Sequence, residues 1–332
     1  MTRAVTIFTG QWANYPLAEL APRMKELGYD GLELCCWGDH FDVFQGAENP
    51  DYCDQKRQLL SDNGLNCWAI SNHLAGQLTL DPNDDTRSNG FGALPPECDN
   101  DPEAKRAWGI ASMKASAKAA KNLGVKVVNG FTGSPIWHFL YSFPAVSDQM
   151  IDDGFRKFAQ VWIPILDEFD RLGINFALEV HPTEIAFDLW TAKRALEAIG
   201  NHPRFGFNFD PSHLLWQGID PAEFIRQFPE RIFHVHIKDC KVMLDGRNGI
   251  LGSHLAFGAS RRGWDFRSPG HGQVNFEEII RELNRANYQG PLSVEWEDAG
   301  MDQWFGAADA CAFTRRLDFA PAGALFDAAF KK

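Results

Sequence analysis

The stretches INFALEVHP (174–182), RFGFNFDPSH (204–213), RIFHVHIKD (231–239) and PLSVEWED (291–298) decide the fold. Each begins as a short run of β-branched and aromatic residues, the composition of a buried strand, and turns to carboxylates and imidazoles toward its C-terminal end. Upstream the same kind of run alternates with amphipathic segments. AVTIFTG (4–10) is followed by PLAELAPRMKELG (16–28), where Leu17, Leu20, Met24 and Leu27 recur at helical spacing and Gly28 supplies a stop. DGLELCCW (30–37) precedes a helical segment near 51–63. NCWAISNH (66–73) leads through a polar stretch, Gly76 to Pro102, to a helix from Glu103 to Leu123. VKVVNGFTG (125–133) leads through the loop SPIWHFLYSFPAVSD to a helix from Gln149 to Leu172.

Strands that alternate with helices pair in parallel through right-handed crossovers, and eight such units close into an α/β (β/α)8 TIM barrel. The competing arrangement, an open doubly wound sheet, calls for a glycine-rich first turn, and TGQWANYP carries no GxGxxG. No linker-like run divides the 332 residues, so the reading is a single domain, 1–332, with the barrel over about 4–298 and long βα loops after strands three, four and seven. A C-terminal extension, 299–332, carries Phe305, Phe313, Leu317, Phe319, Leu325, Phe326 and Phe330, enough apolar surface to cover the barrel or to meet a partner chain in a homo-oligomer.

Composition sets outer limits. Hydrophobic residues at 45% and charged residues at 23% describe a globular chain and exclude disorder. The 32 Lys+Arg against 44 Asp+Glu leave a formal charge of -12, which opposes nucleic acid and anionic membrane surfaces as partners. The cysteines at 35, 36, 53, 67, 98, 240 and 311 form an odd set without CxxC spacing, so neither a disulfide framework nor a thiolate zinc site is expected. With no signal peptide pattern and no run of 18 apolar residues, the expected location is the cytoplasm.

In barrels the chemistry gathers where strands run into their βα loops. Four consecutive strand ends here carry Glu179 and His181, Asp210 and His213, His234, His236, Lys238 and Asp239, and Glu295 and Glu297. Residues two apart share a face, which pairs Glu179 with His181, His234 with His236 and Glu295 with Glu297. Taken singly, a strand-end Glu fits a salt bridge, a buried His such as His234 fits a hydrogen-bonded core position, and Lys238 and Asp239 fit local ion-pair roles unless the loop folds over the site. Taken together, converging carboxylates repel one another and lose hydration, which a divalent cation relieves. The set Glu179, Asp210, His236 and Glu295 suits Mn2+, Co2+, Fe2+ or Zn2+, with Mg2+ less favoured by the imidazole. His213 fits a helix cap or a substrate contact, and His181 a substrate contact or a hydrogen bond to a ligating carboxylate.

The motifs LEVHPTEIAFD, FNFDPSHLLWQG, HVHIKD, PGHGQVNF and LSVEWED resemble the sugar phosphate isomerase/epimerase superfamily, the xylose-isomerase-like TIM barrels, from about Gly28 to Glu297. The resemblance implies that Glu179, Asp210, His236 and Glu295 are metal ligands, commonly for Mn2+, and that His213 contacts the bound sugar. The loops SNHLAGQLTLDP and GFTGSPIWHFLYSFP resemble a subgroup that includes catalytic subunits of bacterial C-glycoside deglycosidases, which act on 3-oxo-glycosides with a small second subunit. That likeness adds His73, Trp137, His138 and Tyr141 as candidate loop residues beside His181, His213 and Lys238. The endonuclease IV branch carries extra histidines on strands two to four for three zinc ions. The fourth strand here, VNGFTG, has none, and the charge is wrong for DNA.

These readings converge on a metal-dependent sugar isomerase or epimerase that removes a proton beside a carbonyl through a metal-bound enediolate, with Glu179 and Glu295 as ligands and bases. The alternative is a carbon-carbon lyase, in which a 3-oxo-C-glycoside loses its aglycone by β-elimination and His138 acts as acid or base. A non-catalytic sugar-binding barrel is the third reading, and the four converging metal-type residues argue against it. Trp12, Trp37, Trp68, Trp137, Trp216, Trp264 and Trp296 lie near strand ends, where flat rings pack in the core or stack on a sugar or aglycone. Beyond Arg261, Arg262 and Arg267 no basic cluster suggests a phosphate site.

Overall fold

A computed structural model of the chain describes residues 3–137, 143–252, 255–323 and 330. Seven parallel strands follow one another: β1 (Val5–Phe8), β2 (Gly31–Cys35), β3 (Ala69–Ser71), β4 (Val127–Gly130), β5 (Asn175–Glu179), β6 (Phe205–Phe209) and β7 (Ile232–Ile237). Two short strands, β8 (Asp239–Val242) and β9 (Trp264–Arg267), come next and pair antiparallel as a separate hairpin. The last strand, β10 (Leu292–Val294), pairs with β1 and β7 and closes the barrel in the order β1-β10-β7-β6-β5-β4-β3-β2. The expected (β/α)8 architecture is therefore the one observed, and the hairpin is an addition to it.

The helices are α1 (Leu17–Glu26), α2 (Val43–Glu48), α3 (Pro50–Asp62), α4 (His73–Gln77), α5 (Pro102–Leu123), α6 (Asp148–Leu172), α7 (Leu189–Ala198), α8 (Pro211–Leu215), α9 (Pro221–Gln227), α10 (Phe276–Arg285) and α11 (Gln303–Leu317). Their starts follow from local chemistry. Asp101, Ser147, Asp188 and Asn275 accept backbone N–H bonds at the first turns of α5, α6, α7 and α10. Gly124 and Gly173 end α5 and α6 in left-handed conformation. The stripe Phe155, Phe158, Trp162, Ile165, Leu166 and Phe169 repeats at three and four residues, so α6 lays one apolar face on β5 and β6, with Trp162 4.5 Å from Phe176.

The segment after the last strand is not an appendage. α11 packs on the barrel wall: Tyr29 donates to the Ala307 carbonyl at 2.7 Å, and Trp304 contacts Trp12. It is the helix of the eighth unit, so the barrel extends to Leu317 rather than ending near 298. The missed signal is its short, small-residue contact face of Gly306, Ala307 and Ala310, which reads weakly as amphipathic.

The strand interiors depart from a uniformly apolar body. Glu33, Ser71, Asn129, Asn208, His234, His236 and Ser293 are buried within β2, β3, β4, β6, β7 and β10. Branched aliphatic layers commonly fill such barrels. In this chain a hydrogen-bonded polar layer lies beneath the mouth, and the outward faces carry Phe176, Phe205 and Phe207 against the helices.

Close backbone packing at the rim depends on Gly76 in α4, where an added Cβ would sit 2.0 Å from the Phe131 carbonyl oxygen. Gly76→Ala is expected to destabilise the protein by about 1–3 kcal/mol in urea unfolding, with the denaturant slope unchanged.

Candidate active site

At the C-terminal mouth, Glu179 ends β5, Asp210 caps α8 directly after β6, His236 lies in β7 and Glu295 follows β10. One ligand-type atom from each of the four lies within 4.8 Å of the others, and all four residues are buried. The chemistry of this donor set fits a divalent cation. Asp210 Oδ2 and Glu295 Oε2 are buried and have no hydrogen-bond partner among the described residues. His236 Nδ1 approaches Glu295 Oε2 at 2.6 Å and Glu179 Oε2 at 3.3 Å, and Asn208 Nδ2 lies 3.1 Å from the same nitrogen.

The tautomer of His236 is set from below by Glu33 in β2. An ionised carboxylate only accepts, so the His236 and His234 Nε2–H groups donate to it, at 3.0 and 2.7 Å. Ser293 Oγ donates at 2.5 Å, Asn129 Nδ2 at 2.9 Å, and Ser71 Oγ is also bonded to it. Burial pushes the Glu33 carboxyl up, but the charges and hydrogen bonds of His236 and His234 hold it well below the usual carboxylate range. Glu33, His234 and His236 also lie close enough to suggest a second ion site, yet five donors already saturate this carboxylate. Its place is that of a support for His236.

Other expected residues surround the four. His73, at the start of α4, places Nε2 3.0 Å from Glu179 Oε2. His213, in α8, lies 3.3 Å from Glu179 Oε1 and 3.4 Å from Asp210 Oδ2 without hydrogen-bonding geometry, and its ring stands edge-on to His181 at 4.2 Å. Burial raises the Glu179 carboxyl, but the imidazoles of His213, His236 and His73 around it bring it well below its ordinary value. Burial raises Asp210. Lys238 Nζ is 3.0 Å from both Glu295 Oε1 and Glu297 Oε1; although burial disfavours its charge, those carboxylates hold the ammonium well above its ordinary value.

His73, Glu179, His181, His213, Lys238 and Glu295 line one cavity of about 560 Å3. Trp137 is not among its lining residues, and its ring packs edge-on against Phe187 at 4.8 Å and Phe155 at 6.2 Å. His138 and Tyr141 lie outside the described residues. Of the two residues expected to form local ion pairs, Lys238 does so with Glu295 and Glu297, whereas Asp239 has no ion pair among the described residues. Its carboxylate accepts N–H bonds from Gly270, Gly272, Gln273 and Val274 at 2.9–3.1 Å and staples the hairpin to the barrel. Trp12 and Trp296 are core residues, whereas Trp37, Trp216 and Trp264 line the cavity. Glu33 is the residue that sequence reasoning passed over. A charged side chain in the middle of the apolar run GLELC was its signal.

Fold and site together define a parallel barrel with an acidic, imidazole-bearing pocket at its C-terminal mouth. Residues 22–317 match the family described as Xylose isomerase-like TIM barrel, and the chain belongs to that family. The uncharacterized protein YfiH of Bacillus subtilis is 30% identical over 195 residues, 54% of this chain and 62% of that protein. An inosose dehydratase of Clostridium botulinum is 35% identical over 89 residues, 27% of this chain and 29% of that enzyme. Both matches therefore span less than two thirds of the relative's length. The crystal structure of 3-keto-D-glucoside 4-epimerase, YcjR, from E. coli shares the fold with a TM-score of 0.64, at 15% identity over 95% of this chain and 99% of that one.

Glu33→Gln is expected to weaken Mn2+ binding about 10–100-fold in calorimetric titration with far-UV circular dichroism retained, because the support of His236 is lost. Glu184 fastens the rim by accepting N–H bonds from Thr132 at 2.7 Å and Gly133 at 2.6 Å. Burial, aided by the charge of Asp81, raises its carboxyl from an ordinary 4.5 to about 8. The unfolded acid thus ionises at lower pH than the folded one, and its contribution to stability, complete below about pH 4.5, is lost as pH rises toward 8. Glu184→Gln lacks this loss, so between pH 5 and 8 its unfolding free energy should gain about 1–3 kcal/mol relative to wild type in urea titrations.

Proposed function

We propose that this protein is a divalent-metal-dependent enzyme that removes a proton beside a carbonyl of a sugar or of an oxidised (3-oxo) glycoside and returns it to give an isomer or epimer. The observation that carries the reading is the convergence of Glu179, Asp210, His236 and Glu295, with unpartnered Asp210 Oδ2 and Glu295 Oε2, beside a cavity that Glu179 and Glu295 line and that is large enough for a sugar derivative. Mn2+ is the favoured ion, and Mg2+, Co2+, Fe2+ and Zn2+ fit the same donors. The ion, held by those four side chains, would supply Lewis-acid polarisation of the substrate carbonyl.

The chain's own groups divide the remaining work. Glu179 ends β5 and Glu295 follows β10, with β6 and β7 between them in the barrel order, so their carboxylates would approach a bound sugar from separate strands. One takes the proton from the carbon next to the carbonyl and the other delivers it to the opposite face. Lys238 holds a proton at Nζ, where it can donate to oxygen as negative charge develops. His213 and His181 present ring nitrogens to substrate hydroxyls, and Phe8, Phe131 and Leu74 keep water from the reacting carbon.

The names of two similar proteins support this class of chemistry: one is an epimerase of a keto-glucoside, the other a dehydratase of an inosose. A second reading shares the first step. Proton removal beside a 3-oxo group also permits β-elimination of the substituent at C1, which makes the protein a C-glycoside deglycosidase subunit. The apolar outer half of the cavity favours it, since Trp216, Phe257 and Trp264 suit an aglycone. The seven free thiols agree with a cytoplasmic location, and no helix among the described residues is long and apolar enough to cross a membrane.

Mn2+-loaded protein incubated in D2O with 3-oxo-glucosides and free ketoses is expected to introduce deuterium next to the carbonyl, read by NMR and mass. Aglycone release would select the lyase outcome. Glu295→Gln should slow exchange by about 10²–10⁴-fold, and Asp210→Asn should abolish the rise in Tm on adding Mn2+. Full exchange in Glu295→Gln would remove the two-glutamate mechanism.

A further inference from the structure

We propose that the outer wall of the cavity is a subsite for a flat aromatic group, so that the substrate class is an aryl glycoside rather than a free monosaccharide. The substrate class deepens the function proposed above and rests on it; the subsite itself stands on geometry that owes nothing to the metal.

The cavity has two chemically distinct halves. The inner half carries Glu179, His213, Lys238 and Glu295; the outer half carries Trp216, Ile250, Leu251, Phe257, Trp264 and Phe266. Phe266 marks the border, with the His213 ring edge-on at 5.5 Å and Lys238 Nζ 4.3 Å from its ring centre. Apart from Trp216, which follows α8, the outer half is built by an element that barrel closure does not require, the β8–β9 hairpin and its connection, and β8 starts three residues after His236. A group seated on the hairpin is thereby continuous with the acidic cluster.

The wall is rigid and prepared. Trp216 and Trp264 stack at 4.5 Å and 3°, and Phe257 meets Phe266 at 5.0 Å. Arg262 is buried at 3% exposure: its guanidinium lies 4.3 Å from the Phe257 ring centre and 4.7 Å from that of Trp264, while Nε donates to the Trp264 carbonyl and Nη1 to the Leu255 carbonyl. At the base, Gly272 lies so near Asp239 that a Cβ would come within 2.1 Å of Oδ1, which ties the hairpin to the barrel. Phe257 and Leu251 nevertheless remain 52% and 73% exposed, so the braced wall still offers apolar surface.

A free sugar fits such a wall poorly. Hydroxyls on every carbon would lose water and gain few partners there. An aromatic ring gains both burial and edge or face contacts with Trp and Phe. The indole Nε1 of Trp216 is buried without an acceptor among the described residues, a donor placed for an oxygen on that ring. The polar half then holds the sugar and the hairpin holds the aglycone.

The test compares 4-methylumbelliferyl β-D-glucoside with methyl β-D-glucoside by isothermal titration, in Mn2+ and again after EDTA treatment. The aryl compound is expected to bind at least about tenfold tighter than the methyl one under both conditions. Trp264→Ala and the exposed-site variant Phe257→Ala should each reduce that advantage below about threefold while leaving the affinity for methyl glucoside within twofold of wild type. Equal affinities for the two glucosides in the wild-type protein, or an advantage that survives in both variants, would overturn the subsite. Loss of deuterium exchange on every oxidised sugar with the aryl advantage intact would overturn the proposed reaction, and with it the substrate class, but leave the subsite.

Discussion

The buried carboxylate of Glu33 is the interaction on which the mouth of the barrel depends. It draws hydrogen bonds from Ser71, Asn129, His234, His236 and Ser293, side chains of four other strands, and so ties β2 to β3, β4, β7 and β10 through the lumen. Such a charge is tolerable inside a protein only when its lone pairs are met in full. Meeting them fixes His236 with its other nitrogen turned toward Glu179 and Glu295. Above that layer the carboxylates of Glu179, Asp210 and Glu295 have fewer donors, and two of their oxygens have none among the described residues. The barrel thus carries a satisfied polar layer below an unsatisfied one, and the unsatisfied layer is where a cation and a substrate find partners.

Around this centre the loops are attached by the same device of a buried acid collecting backbone N–H groups. Asp239 gathers residues 270–274 beneath the hairpin, and Glu184 gathers Thr132 and Gly133 at the opposite rim. These anchors hold the aromatic wall on one side and Phe131 on the other, so the cavity is shaped by fixed backbone.

Much of this was legible in the chain. Eight runs such as FALEV and FHVHI separated by helical spacing specify a parallel barrel, because strand and helix periods differ and crossovers have one hand. The four metal-type residues were legible because a polar group at the end of an otherwise apolar strand has few structural reasons to be there. Trp137 was not placed by the sequence, because an aromatic ring in a loop after a strand serves packing or binding equally, and its contacts with Phe155 and Phe187 appear only in the folded chain. The β8–β9 hairpin passed unnoticed because its strands are four residues each and 21 residues apart, beyond the range of turn signals.

The sequence by itself determined the barrel and the convergence of Glu179, Asp210, His236 and Glu295, since both follow from local periodicity and from where polarity breaks it. Tertiary structure alone decided the role of Glu33, the staple at Asp239 and the division of the cavity into a polar and an aromatic half. The reason is separation along the chain: Glu33 meets His234 and His236 across 201 and 203 residues, and no local pattern records a partner at that distance.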